Sequence, residues 1–152
     1  MFKWLRKVTK TPGSPSQPDR GAEREVPTGG DDAIKWFRKA AEKGTSWGQF
    51  NLGLRYARGD GVPQDYAEAL MWFQLAADQK DAMSQYYLGE LYEKGLGMPV
   101  DQVMAYKWYC LAASQGINEA ENARQRLRRN LTPEQIADSQ SPPIPPAPKK
   151  SA

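Results

Sequence analysis

Residues 48–77 read GQFNLGLRYARGDGVPQDYAEALMWFQLAA, and residues 84–113 read SQYYLGELYEKGLGMPVDQVMAYKWYCLAA. The two stretches align without insertion at an offset of 36 residues, which carries Trp72 onto Trp108. The other matched positions are Leu52-Gly53 with Leu88-Gly89, Tyr56 with Tyr92, Gly59 with Gly95, Gly61 with Gly97, Pro63 with Pro99, Asp65 with Asp101, Ala69 with Ala105, Phe73 with Tyr109, and Ala76-Ala77 with Ala112-Ala113. A fixed period of this length is typical of a solenoid, in which each unit is one supersecondary piece stacked on its neighbour.

The pattern continues on both sides of these two copies. One period before Trp72 lies Trp36, and Val26-Pro27, one period before Val62-Pro63, is interpreted as the remnant of an upstream loop. After residue 116 the pattern decays, and the Leu-Gly position reads Arg124-Gln125. A terminal unit with a polar outer face is what the end of a solenoid requires.

The chain therefore divides into a solenoid between two tails. The predicted segments are a disordered tail at 1–30, a leading half unit at 31–44, full units at 45–80 and 81–116, a degenerate cap at 117–130, a short helix at 131–140 and a Pro-rich disordered tail at 141–152. The tails are rich in Pro, Gly, Ser and Gln and contain too few apolar residues to form a packed core.

Apolar residues at helical spacing predict an all-α fold, an α/α superhelical solenoid of helix-turn-helix repeats with a 36-residue period. The predicted helices are 33–43, 47–58, 65–79, 82–94, 101–115, 118–130 and a short helix near Ile136. Asp65 and Asp101 follow turns and are predicted N-caps, as is Asp31 or Asp32, and Gly44 is predicted to end the first helix in the left-handed conformation.

Two kinds of repeated residue are predicted to serve packing. Gly53 and Gly89 lie in mid-helix, where glycine costs about 1 kcal/mol relative to alanine, so their recurrence indicates close approach of another element. Trp72 and Trp108 are interpreted as core residues rather than ligand-stacking residues, because they recur beside an aromatic neighbour.

The composition excludes several chemistries. The 152-residue chain contains no histidine, which removes His-assisted nucleophiles and His-metal sites, and its single cysteine, Cys110, excludes an internal disulfide. We expect no catalytic residue, no cofactor and no metal site. The net charge of +3 arises mostly outside the repeats, so it is weak evidence for a nucleic-acid partner.

The two ends of the chain leave alternatives open. Residues 1–10, MFKWLRKVTK, could form a short basic amphipathic anchor, although a frayed end is favoured. No signal peptide or transmembrane segment is recognised, so a cytoplasmic location is expected and stable membrane insertion is not. At the other end, Pro145-x-x-Pro148-x-Lys150 matches an SH3-ligand pattern, but a plain linker is favoured.

The repeat overlaps the tetratricopeptide pattern, and it more closely resembles the Sel-like repeat (SLR) family. The resemblance rests on Leu52-Gly53, Tyr56, Gly59, Gly61, Asp65, Ala69, Trp72 and Ala76-Ala77, on their second copy, and on the ending LTPEQIADSQ, which resembles bacterial members. It implies an α/α superhelix that acts as an adaptor for protein partners. Some relatives carry a disulfide in each repeat and are linked to β-lactam binding or hydrolysis, whereas one cysteine cannot link even one unit.

Three functions follow as hypotheses. The preferred one is a non-catalytic adaptor that binds a protein or peptide partner in the groove of the solenoid. One alternative is a small β-lactamase-like enzyme on the same scaffold. Another is a binder of an acidic or nucleic-acid surface through Arg124, Arg126, Arg128 and Arg129, for which the competing interpretation is a solvated end cap.

The groove can be assigned if the tetratricopeptide-like arrangement holds. The first helix of each pair then lines it, and the predicted groove residues are Trp47, Phe50, Leu54, Arg58, Met83, Tyr86, Glu90 and Lys94. Apolar and aromatic side chains rimmed by charges would suit an extended or helical apolar segment of a partner. The alternative is that these side chains pack between neighbouring helices.

Overall fold

The computed structural model describes residues 30–140, which form seven α-helices and no strand. The helices are α1 (Gly30–Glu42), α2 (Ser46–Arg58), α3 (Tyr66–Asp78), α4 (Ala82–Lys94), α5 (Gln102–Ser114), α6 (Asn118–Arg128) and α7 (Pro133–Gln140). Consecutive helices pack against one another from α1 to α6, and α7 packs on α5. The predicted all-α repeat fold is confirmed. The expectations for residues 1–29 and 141–152, including the amphipathic anchor, the Val26-Pro27 remnant and the polyproline tail, lie outside the described residues.

Each unit contributes a first helix (α2, α4 or α6) and a second helix (α3 or α5), and α1 is the second helix of the leading half unit. The predicted caps of the second helices are confirmed. The Asp65 carboxylate accepts hydrogen bonds from the backbone N–H groups of Ala67 (3.0 Å) and Glu68 (3.2 Å). Asp101 accepts in the same way from the backbone N–H of Met104 at 3.0 Å. These bonds satisfy helix N–H groups that have no partner within the helix.

The first helix departs from the prediction at its N-terminus. It begins at Gly30, inside the segment expected to be disordered, so Asp31 and Asp32 lie in its first turn and not at the N-cap. Carboxylates in that turn are still favourable, because the helix dipole is positive there. Gly44 has φ +87°, so the predicted left-handed residue after this helix is confirmed.

The mid-helix glycines allow the first and second helices of a unit to touch. A Cβ on Gly53 would lie 2.8 Å from the Phe73 ring, and a Cβ on Gly89 would lie 2.5 Å from the Tyr109 ring. Real side chains essentially never approach so closely, so the ring of the second helix occupies the place of the missing Cβ. The packing role predicted from the recurrence of both glycines is confirmed.

The core is aromatic and continuous along the solenoid. Phe73 and Tyr109 are fully buried, and Phe73 stacks on Tyr87 of the next unit with ring centroids 5.2 Å apart. Trp108 is 8% exposed and belongs to the central cluster, whereas Trp72 is half-buried against the leading half unit. Stacked aromatic rings therefore join consecutive units as well as the helices within each unit.

Candidate protein-binding surface

The eight predicted groove residues lie on the first helices α2 and α4, but the structure divides them into two sets. Phe50, Leu54 and Tyr86 are buried, with 5%, 2% and 7% of their surface exposed. The Phe50 ring lies 6.0 Å from that of Phe73, and the Tyr86 ring lies 5.6 Å from that of Tyr109. For these three residues the prediction that they line an open groove is wrong, because the second helices and the neighbouring first helix cover their side chains.

The other five predicted residues keep contact with solvent. Trp47, Arg58, Met83 and Glu90 are half-buried, and Lys94 is exposed. Trp47 packs on Trp36 with ring centroids 5.0 Å apart, so part of its ring serves the N-terminal core.

Glu90 is the most buried charged side chain of this set. Its side chain is only 12% exposed. Its Oε1 accepts a hydrogen bond from the Tyr86 hydroxyl at 3.2 Å and pairs with the Lys94 ammonium at 3.4 Å. The second oxygen, Oε2, is buried and has no hydrogen-bond partner among residues 30–140. One buried acceptor therefore remains unsatisfied where a partner was expected to bind.

Sequence reasoning missed one residue of this surface, Arg126 on α6. It stands 36 residues after Glu90 and is therefore its counterpart in the last unit, so the period was the signal that could have found it. Its guanidinium pairs with the Glu93 carboxylate through both Nη atoms, and the Nη2–Oε2 distance is 3.1 Å. The surface formed by Trp47, Arg58, Met83, Glu90, Lys94 and Arg126 is called the first-helix face below.

The Glu93 carboxylate is held in its ionised form. The Tyr109 hydroxyl donates to Glu93 Oε2 at 2.7 Å, alongside Arg126. Partial burial by itself raises the pKa of the Glu93 carboxyl, but the hydrogen bonds from Arg126 and Tyr109 outweigh it and hold the pKa below its ordinary value. Burial and the adjacent Glu93 carboxylate raise the pKa of Tyr109, which therefore stays a protonated donor at neutral pH.

The four C-terminal arginines do not form one free basic patch. Arg124 pairs with Glu121 at 2.6 Å and Arg126 pairs with Glu93, while Arg128 and Arg129 are exposed. Two of the four charges are thus matched by carboxylates. This arrangement fits a solvated end cap better than an electrostatic surface for a polyanion.

The remaining chemistry of the described residues is sparse. Cys110 is a half-buried free thiol whose pKa is raised by burial, which favours the unreactive protonated form. Within residues 30–140 no group of three or more His, Cys, Asp or Glu side chains could hold a metal ion. No helix in that part of the chain is long and apolar enough to cross a membrane.

Stacked helix pairs with a repeated glycine contact and a repeated capping aspartate define a helical-repeat solenoid. The chain belongs to the Sel1 repeat family, whose repeat matches residues 24–45, 48–81 and 82–117. The resemblance stated from the sequence is confirmed. The first match also covers Val26-Pro27, at the position interpreted as an upstream remnant.

Two solved structures show the same architecture. One is c5321, a protective antigen of uropathogenic Escherichia coli strains with an SLR fold, at 37% identity and a TM-score of 0.69 over 72% of this chain. The other is a Sel1 repeat protein from Oxalobacter formigenes, at 39% identity and a TM-score of 0.57 over 59% of this chain. The matched regions cover only 24% and 37% of those proteins. No curated protein sequence matches this chain.

Proposed function

We propose that this protein is a non-catalytic adaptor that binds a partner polypeptide along the first-helix face. Sel1 repeat proteins are generally protein-interaction scaffolds, and the family is typically non-enzymatic. The proposal adds a location and a mode of recognition to that general role. The face spans three units, which suits an elongated segment better than a compact small molecule.

The unsatisfied Oε2 of Glu90 is the observation that carries the proposal. A buried acceptor left without a donor costs about 1–3 kcal/mol, and such groups are few in folded proteins. A backbone N–H or a cationic side chain of a partner would satisfy this oxygen and recover that energy on binding. Glu90 therefore selects a segment that presents a hydrogen-bond donor to this oxygen.

The surroundings of Glu90 define the rest of the partner. Trp47 and Met83 offer apolar surface. The charged residues around it form ion pairs, Arg58 with Asp60, Lys94 with Glu90 and Arg126 with Glu93. A partially buried apolar centre with a charged rim is the usual anatomy of a protein interface. The preferred partner is thus an extended or helical segment with apolar side chains and a hydrogen-bond donor for Glu90.

The test compares the full-length protein with two variants as bait in quantitative affinity capture. Glu90→Gln keeps the size of the side chain but replaces one acceptor oxygen by a donor. Glu42→Gln makes the same change at an exposed position on α1, a helix that contributes no residue to this face. We expect Glu90→Gln to weaken capture of the specific partner about tenfold or more, since 1.4 kcal/mol corresponds to a factor of ten.

The control must bind like the parent protein, and the helical signal and melting temperature of Glu90→Gln must stay close to those of the parent. Parental capture by a folded Glu90→Gln protein would refute the proposal. Equal loss with both variants would also contradict it, because that result would indicate a general charge effect. The enzyme and polyanion-binding alternatives gain no specific observation among residues 30–140.

A further inference from the structure

A cavity of about 730 Å³ lies on the opposite helices of the solenoid, between α3 and α5. Its wall includes Gln74 and Ala77 of α3 and Met104 and Trp108 of α5, and it reaches Ser139 and Gln140 at the end of α7. This volume falls within the range of ligand pockets. We call it the second-helix groove. It shares no residue with the first-helix face.

The helices beside the groove carry an uncovered apolar surface. Leu75 on α3 and Leu111 on α5 are 42% and 40% exposed, and Met71, one turn before Leu75, is 45% exposed. Leu75 and Leu111 are 36 residues apart and therefore hold equivalent positions on adjacent second helices. Of these three residues Leu111 lines the groove, so an exposed apolar side chain lies within it.

The chain itself supplies a segment at the mouth of this groove. The described residues end at Gln140, which lines the groove, so residue 141 must start there. The next residues, 141–148, read SPPIPPAP and contain five prolines and one isoleucine, Ile144. Proline-rich segments favour the extended polyproline II helix and lose little entropy on docking against aromatic-lined grooves.

The reach of this segment matches the groove. At about 3.1 Å per residue, Ile144 lies up to about 12 Å from Gln140, which is comparable to the distance of about 8–10 Å between packed helices. The apolar part of the segment and the apolar part of the groove can therefore coincide.

We infer that residues 141–148 dock in the second-helix groove of their own chain, with Ile144 against Trp108 and Leu111. A tether of a few residues gives an effective concentration on the order of millimolar, which favours this contact over one between molecules. The docked segment covers Cys110 and ties the end of α7 to α3. The inference does not rest on the proposed function, because it concerns the other set of helices.

The indole N–H of Trp108 provides the measurement. Its nitrogen is buried and has no hydrogen-bond partner within residues 30–140, and its ring lines the groove. In ¹H–¹⁵N spectra of the full-length protein, we expect Ile144→Asp to move the Trp108 indole signal while those of Trp36 and Trp47 stay in place. Ser151→Asp adds the same charge outside residues 141–148 and should leave all three signals unchanged. A Trp108 indole signal whose chemical shift does not change with Ile144→Asp would overturn the inference.

A variant of the groove completes the test. Leu111→Asp should abolish the further effect of Ile144→Asp on the Trp108 signal, because the contact is already lost. Val100→Asp alters a 58% exposed apolar residue outside the groove and should leave that effect intact. The Ile144→Asp effect should also be the same at low and high protein concentration. An effect that disappears on dilution would assign the groove to the tail of a second copy, and would contradict docking within one chain.

Discussion

Residues at equivalent positions of the repeat do not have equivalent surroundings. Trp108 packs in the central cluster with two units around it and is 8% exposed. Trp72 packs against the leading half unit, where fewer helices surround it, and is half-buried. Both tryptophans were expected to be core residues. The number of neighbouring units determines how much each one contributes to the free energy of unfolding.

Truncating the two tryptophans should reveal this difference. Trp108→Ala is expected to lower the free energy of unfolding by about 3–5 kcal/mol, the usual cost of removing a buried large aromatic side chain. Trp72→Ala should cost less, about 2–3 kcal/mol, because part of its ring already contacts water. Chemical denaturation of both variants measures the two losses. Equal losses, or a Trp108→Ala protein within 1 kcal/mol of the parent, would contradict this reasoning.

At the scale of elements, side-chain contacts as well as helix packing hold α6, the helix of the degenerate cap, against the preceding unit. Arg126 on α6 reaches back to Glu93 on α4, where Tyr109 of α5 also donates a hydrogen bond. Three consecutive helices therefore meet at one carboxylate. α7 packs on α5, and its own N-terminus is stabilised by a reciprocal capping box in which Thr132 and Gln135 exchange hydrogen bonds of 2.9 and 3.2 Å.

Glu93 should make the stability depend on acid pH. Its pKa is lowered in the folded protein, so its stabilising effect is complete above the ordinary value of 4.5 and is lost as the pH falls through the lower folded-state pKa. Glu93→Gln should cost about 1 kcal/mol at pH 7, a modest value because the Arg126 side chain is 58% exposed.

The same difference between Glu93→Gln and the parent protein should shrink as the pH falls below 4.5 and through the lower folded-state pKa of Glu93, where the native carboxylate becomes protonated. Urea denaturation of both proteins at several pH values measures it. Glu42→Gln, at an exposed position in the last turn of α1, is the matched control and should show no such loss at pH 7. A Glu93→Gln deficit that persists unchanged into strong acid would show that the ionised carboxylate does not contribute.

At the scale of the whole molecule, the solenoid has two differently used sets of helices. The first helices carry the charged face around Glu90, and the second helices carry the apolar groove around Trp108. Both surfaces cross unit boundaries, so neither exists in a single repeat. Function in such a protein depends on the stack and not on any one unit.

Residues 30–140 should fold without either tail. The fragment contains all three core clusters, whose burial supplies the driving force for folding. The fragment should show the same molar helical circular dichroism signal as the full-length protein, and it should unfold in a cooperative thermal transition. A shorter fragment that ends at residue 117 is the informative comparison, since loss of α6 and α7 uncovers Tyr106 and Tyr109. Loss of helicity in the 30–140 fragment would mean that a tail contributes to the core.

The helices, their caps and their turns could be predicted from the sequence because each depends on residues close together in the chain. Asp65 caps α3 with N–H groups two and three residues ahead, and Gly44 ends α1 through its own backbone conformation. The 36-residue period then indicated stacking, since a helix pair cannot bury its apolar side alone.

Exposure could not be predicted in the same way, because it depends on atoms contributed by other units. Phe50 and Tyr86 looked like the floor of a groove in the sequence, but the rings of Phe73 and Tyr109 cover them. The unsatisfied oxygen of Glu90 likewise reflects which donors the packing brings near it and which it leaves distant. Spacing along the chain specifies which side of a helix a residue occupies, whereas only the stacked helices decide whether that side meets protein or water.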